Sequence, residues 1–309
     1  MTESYSIPVL FLIFNRPECT KETFEAIKRA KPKYLYVAAD GPRAGKDGES
    51  ILCEKTRSIV KEIDWDCEIK TLFRNENLGC GQAVSQAITW FFDNVEYGII
   101  LEDDCLPYPK FFVFCKNMLE RYKDDDRIWE VCGTNLQCGK IRGDGSYYFS
   151  NYGSIWGWAT WARAWKHYDF KMEKYEQFIK EKGIENIFKD KKQQKHWIEV
   201  LNKSREIDTW DYQWLFTHWY YNGLCVVPNV NLIKNIGFNF DGTHTVHEPF
   251  WYQSAISGGS KLGEIKHPQK LEVNNEADGF LYNKYYKPFS LYTRSCLFLK
   301  KLYAYVFKK

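Results

Sequence analysis

Residues 97–104 read Tyr-Gly-Ile-Ile-Leu-Glu-Asp-Asp, an apolar run that passes directly into three consecutive acids. A short continuous apolar run marks a strand buried on both faces. Three more strands are expected before it: Val9 to Phe14, itself a continuous apolar run, Tyr34 to Ala38, and Ile69 to Phe73. Helical stretches separate them. Asn15 and Pro17 form a helix-start signal, after which Phe24, Ile27 and Ala30 recur at helical spacing. Ser58, Val60 and Ile63 mark a second helical stretch, and Ala83, Val84, Ala87, Ile88, Phe91 and Phe92 a strongly amphipathic third. Strand alternating with helix predicts an α/β fold, with a mostly parallel sheet and helices on both faces.

Beyond about residue 130 this rhythm breaks. Gly and aromatic residues dominate Tyr147 to Trp165. Polar helices are expected near 173–182 and 189–203, then an aromatic-rich helix over Asp208 to Tyr221 and a strand over Gly223 to Pro228. Without a low-complexity linker or repeat, the whole chain (1–309) reads as a single domain: a nucleotide-binding half (1–130), an acceptor half (131–285) and a basic amphipathic tail (286–309). The net charge of +3 is too small to argue for nucleic acid. Ten Cys without a CxxC pair exclude zinc-finger spacing, and with no secretion signal they suggest reduced thiols in a cytoplasmic protein. No run of 18 apolar residues exists. The tail carries Lys and Arg among Leu, Tyr and Phe and no acid from Phe289 to Lys309. It suits either a core contact or a peripheral contact with the anionic inner face of a plasma membrane.

In doubly covered parallel sheets, ligands bind beyond the carboxyl ends of the strands. Here each strand ends in charged or amide residues: Asn15-Arg16, Asp40 to Arg43, Arg74 with Asn77, and Glu102 to Asp104. Three adjacent carboxylates repel one another, and a divalent cation relieves that repulsion. Hard oxygen ligands suit Mn²⁺ or Mg²⁺. A solvated acidic turn is the plain alternative. Asp40 can accept from a pyrimidine N3–H or a ribose hydroxyl, although Asp-Gly-Pro is also turn chemistry. Gly79-Cys80-Gly81 opens a helix, and a helix N-terminus near Arg74 suits an anion, or equally a plain helix cap. Trp156-Gly-Trp-Ala-Thr-Trp161 places three indoles within six residues, and Trp158 is the candidate for a sugar contact. On a helix, Trp158 and Trp161 would share a face. In Asp208-Thr-Trp-Asp211-Tyr-Gln-Trp214, Asp211 is the candidate general base. Asp208 is its competitor, or only a helix cap. His244, with His247 nearby, could ligate a metal, touch a diphosphate or sit in a surface loop.

Taken in order, Phe14–Pro17, Ala39–Arg43, Arg74–Gly81, Glu102–Asp104, Trp156–Trp161, Trp210–Trp214 and Gly242–Thr245 resemble the bacterial nucleotide-diphospho-sugar glycosyltransferases of GT-A fold. The N-acetylglucosaminyltransferases of N-glycan branching are more distantly similar. The resemblance spans residues 7–250. It implies a GT-A (Rossmann-like) sheet and an inverting, metal-dependent transfer from a UDP-sugar to a hydroxyl of a bacterial glycan. N-acetylglucosamine is one candidate sugar, and a lipid-linked acceptor would fit the class. The resemblance also implies that Asp104 binds the metal, that Glu102 and Asp103 lie near the ribose, and that Asp40 and Arg74 contact uridine. The family's base lies in a Trp-Asp-Asp-Trp segment. Trp210-Asp-Tyr-Gln-Trp214 is one residue longer, which leaves Asp211 and Asp208 both open. Two rival readings are a non-catalytic glycan-binding protein and a nucleotidyltransferase making NDP-sugars. The latter would carry a Gly-rich loop near its N-terminus, whereas Phe11 to Arg16 has no Gly.

Overall fold

The structure, a computed structural model, describes residues 5–238, 252 and 262–287. His244, His247 and the tail from residue 288 onward lie outside the described residues. Four parallel strands form the N-terminal part of the sheet: β1 (Val9–Ile13), β2 (Tyr34–Ala39), β3 (Glu68–Phe73) and β4 (Tyr97–Glu102). All five residues of β1 are buried. Its side chains alternate between two cores, as the two-residue period of a strand requires. Val9, Phe11 and Ile13 enter one, and Leu10 and Leu12 the other. This is why the strand is apolar throughout rather than at alternate positions.

Helices cover both faces. Phe24 and Ile27 of α1 (Pro17–Ala30) and Phe111, Phe114 and Met118 of α4 (Pro109–Arg121) fill the first core. Ala87, Ile88 and Phe91 of α3 (Gly79–Phe92) fill the second. Each Phe, Ile and Met among them contributes about 1.5–3 kcal/mol on full burial. The expected helix around Ser58 lies earlier: α2 spans Glu49–Arg57, and a 3₁₀ turn follows over Ser58–Glu62.

The sheet continues through β8 (Trp158–Trp161), β6 (Ile128–Cys132), β9 (Leu224–Pro228) and β7 (Tyr147–Ser150), giving the order β3-β2-β1-β4-β8-β6-β9-β7. Both halves of the chain therefore build one eight-stranded, mostly parallel sheet. Strand β8 is antiparallel to both its neighbours, β4 and β6. This corrects the helical reading of the tryptophan segment. On a strand Trp158 and Trp161 point to opposite faces and join different cores. A third, aromatic core sits away from the sheet. It is built from Trp197 on α8 (Lys191–Ser204), Phe216 and Trp219 on α9 (Asp211–Tyr220), and Tyr152. A short antiparallel pair, β5 (Cys105–Pro107) with β10 (Ile233–Asn235), follows the acidic triplet. No helix among the described residues is long and apolar enough to cross a membrane.

Candidate functional site

The chain leaves β1 to one side through β2 and β3, then returns on the other side of β1 with β4. That reversal opens a crevice at the carboxyl ends of β1 and β4, where open α/β sheets bind ligands. A cavity of about 480 Å³ occupies it. Residues from five places in the sequence line it. They are Asn15 and Arg16 after β1, Asp40 and Arg43 after β2, Arg74, Asn77 and Gly79 after β3, Glu102 and Asp103 at β4, and Asp208 from the far half.

The loops after β2 and β3 are locked together. Asn77 Nδ2 donates to Gly41 O at 2.8 Å, and Gly41 N donates to Glu76 O at 3.2 Å. A Cβ at Gly41 would overlap the Glu76 backbone, so this approach requires glycine. Arg57 donates through Nη2 to Asp40 O and Arg74 O and so pins both loops. Glu49, on the first turn of α2, is a residue the sequence reading misses. It is buried, accepts from Asn15 Nδ2 at 2.9 Å, and pairs with the Arg43 guanidinium. Arg74 is held less tightly. Its guanidinium makes one long bond, to Gln86 Oε1 at 3.5 Å, and so faces the cavity available to a ligand.

At the N-terminus of α3 the structure shows the helix cap, the second of the two readings of this stretch. Asp40 accepts from Leu78 N at 3.0 Å and Gly79 N at 3.2 Å. Asp208 accepts from Cys80 N at 2.8 Å and Gly81 N at 2.7 Å. The four amides from 78 to 81 are thus already bonded to two of the chain's own carboxylates. Asp208 caps a helix, but that helix is α3, more than a hundred residues away, and not α9. Gly79, at φ +82°, and Gly81 leave room for it, since a Cβ on either would crowd the Asp208 carboxylate.

The acidic triplet gathers around one cation. Arg16 pairs with Asp103 through Nη2 and with Asp104 Oδ2 through Nη1 at 3.0 Å. Two of the three carboxylates thus pair with one guanidinium, Asp104 is not among the residues that line the cavity, and Glu102 Oε1 is buried with no hydrogen-bond partner. Burial, then the charges of Asp104 and Asp103, push the Glu102 carboxyl well above its usual range. Burial also raises Asp103, against the pull of Arg16. An orphaned carboxylate oxygen and hard oxygen donors match a divalent cation in chemistry, although among the described residues the ligand atoms that lie within 4.8 Å of one another are those of Glu130, His218 and Cys225.

Asp211 lies at the start of α9 and accepts from Thr209 Oγ1. It lines a second cavity, of about 300 Å³, together with Trp156 and Tyr212. It is also electrostatically close to the first. Cys80, which lines the first cavity, has its thiol pushed up to about 12 by burial and then by Glu102, Asp208, Asp211 and Asp40. Trp158 lines neither cavity. It is fully buried and stacked on Trp210 at 5.8 Å, so strand β8 gives it to the core, while Trp156, just before the strand, lines the second cavity with its ring edge-on to Phe238 and Tyr252.

A scan against family models gives no match, and neither does a search of curated protein sequences. Solved structures give partial likenesses, each over 52% of this chain at a TM-score of 0.33. HddC from Yersinia pseudotuberculosis is 12% identical, with 80% of its chain covered. A cytidylyltransferase from Leptospira borgpetersenii is 12% identical, with 62% covered. TarS from S. aureus is 10% identical, with 48% covered. Likenesses at this level say nothing of this chain's activity.

Proposed function

We propose that the chain transfers a sugar from a nucleotide diphosphate sugar, UDP foremost, to an acceptor hydroxyl. The observation that carries this reading is the acidic cluster at the switch point of the sheet, where Asp103 and Glu102, with its orphaned oxygen, line one cavity with Asp40 and Arg74. Asp104, with Glu102 and Asp103 adjacent, would hold Mn²⁺ or Mg²⁺. A cation bound there would neutralise the diphosphate as it leaves. Asp40 offers a carboxylate to the base or ribose, and Arg74 offers its guanidinium to the nucleotide. Asp211 takes the proton of the incoming hydroxyl on the side away from the leaving group, which makes the transfer inverting. Asp208 is tied to α3 by two backbone amides, and that favours Asp211 as the base.

The test is UDP binding followed by calorimetry and by thermal shift, with and without Mn²⁺, in the wild type and in Asp104→Asn. Mn²⁺-dependent stabilisation by UDP is expected in the wild type only, since a ligand specific for the folded state raises its stability. Equal UDP binding in excess EDTA would remove the metal from the proposal. Release of pyrophosphate from a nucleoside triphosphate and a sugar phosphate would instead make the chain a nucleotidyltransferase.

A further inference from the structure

The second cavity has a chemistry of its own. Tyr152, Trp156, Tyr212 and Tyr286 supply aromatic wall, and Asp211 stands among them. Its polar groups come from β6, β7 and α9. Glu130 on β6 is fully buried and accepts from Ser154 N at 2.7 Å and Trp214 Nε1 at 2.9 Å. His218 on α9 is fully buried, and its Nε2, 3.8 Å from Glu130 Oε2, has no hydrogen-bond partner. The buried Tyr148 hydroxyl lies in the same wall, within reach of the Gln137 side chain. Buried polar atoms left unpaired at the wall of a cavity call for a ligand or water that can pair with them.

No Lys or Arg is among the described residues lining this cavity. An anionic guest would meet two carboxylates, Asp211 and Glu130, with no cation to pair with, a cost that works as selection against it. A hydroxyl-bearing guest suits the orphaned imidazole nitrogen, because a sugar hydroxyl can donate or accept and so can pair with either tautomer, and the Tyr148 hydroxyl can share a further bond. Apolar walls with a few convergent polar groups are the usual make-up of a small-molecule site, and about 300 Å³ is the small end of their range.

We propose that this cavity seats the acceptor, and that the acceptor's terminal residue is an uncharged pyranose rather than a uronic acid, a sialic acid or a phosphate. The inference rests on the transfer reaction proposed above. With the ring held there, one hydroxyl meets Asp211. Its proton passes to the Asp211 carboxylate, its oxygen bonds to the anomeric carbon of the donor, and the anomeric C–O bond to phosphate breaks. The electron pair of that bond leaves on the diphosphate.

The experiment titrates the full chain with methyl pyranosides of glucose, galactose, mannose, rhamnose and N-acetylglucosamine, and with methyl glucuronide. The readouts are tryptophan fluorescence, to which Trp156, Trp197 and Trp214 at the cavity contribute, and saturation-transfer NMR. Concentrations run to about 50 mM, which covers the millimolar affinities expected of a single small ring. UDP with Mn²⁺ is measured in parallel. At least one neutral pyranoside should bind saturably and methyl glucuronide should not. Affinity should fall about tenfold in Trp156→Ala and measurably in Tyr148→Phe, which removes one hydroxyl and keeps the ring. Binding of the glucuronide as tight as that of the neutral sugars would overturn the inference. So would binding unchanged in both variants, or no pyranoside binding in a chain that still binds UDP. Failure to bind UDP would count against the transferase reading alone.

Discussion

Replacing Asp208 by Ala removes a carboxylate that joins the two halves of the chain. Its Oδ2 accepts from Cys80 N at 2.8 Å and its Oδ1 from Gly81 N at 2.7 Å, while Asp40 takes the two amides before them. Losing a helix N-cap costs about 0.5–2 kcal/mol. Two charge-assisted bonds would argue for more, but Asp208 is exposed, and water replaces part of what is lost. The expected loss is therefore about 1–2 kcal/mol. At about 2–4 °C per kcal/mol for a domain of 150–250 residues, the melting temperature should fall by about 2–8 °C. Asp208→Asn, which keeps one acceptor oxygen, should fall in between. Sugar transfer, assayed on the folded fraction, should drop less than about tenfold in either variant, because a positioning residue displaces the base without removing it. The assay pairs thermal unfolding with initial rates at saturating donor. An unchanged melting temperature with a rate loss of about 10²–10⁴, the range for a lost general base, would make Asp208 the base and refute the reasoning.

Asp211→Asn should lose about 10²–10⁴ in transfer rate with donor affinity nearly intact. Weakened UDP binding in this variant would place Asp211 on the donor side. Arg74→Ala should weaken UDP binding by about tenfold or more, since a charged hydrogen bond to a ligand is worth roughly 1.5–3 kcal/mol. Calorimetry on a chain of unchanged melting temperature measures it, and wild-type affinity would free Arg74 of that role. Asp278 sets a pH dependence. Burial raises its carboxyl from 3.8 to about 6, against the hydrogen bonds of Ser150 and Asn151. Between those two values the folded chain binds more protons than the unfolded one, so stability falls as pH rises from about 4 to about 6 and is level above. The difference amounts to about 3 kcal/mol from this group. Asp278→Asn should flatten that slope in denaturant titrations across the range, and an unchanged slope would assign it elsewhere.

What the sequence makes legible here depends on how local the physics is. Strands β1, β2 and β4 announce themselves because both faces are buried, so nearly every position is apolar and no knowledge of partners is needed. The residues at their carboxyl ends follow from topology, and the structure gathers Asn15, Asp40, Arg74 and Glu102 around one cavity. Strand β6 is hidden by the acid at its centre. Glu130 interrupts an apolar run, and its burial is tolerable only because Ser154 N and Trp214 Nε1, 24 and 84 residues away, bond to it. Trp158 and Trp161 stand three apart, which fits a helix face, and only insertion of the segment between β4 and β6 decides for a strand. Asp208 is the sharpest case. Capping signals operate within one turn, so an acid before α9 reads as a cap for α9, whereas its partners are the amides of α3. Two glycines at the start of a helix that has no capping side chain of its own, Gly79 and Gly81, are the trace such a distant carboxylate leaves in the sequence. They make the space it occupies, so a pairing invisible in spacing remains readable in what its partner helix lacks.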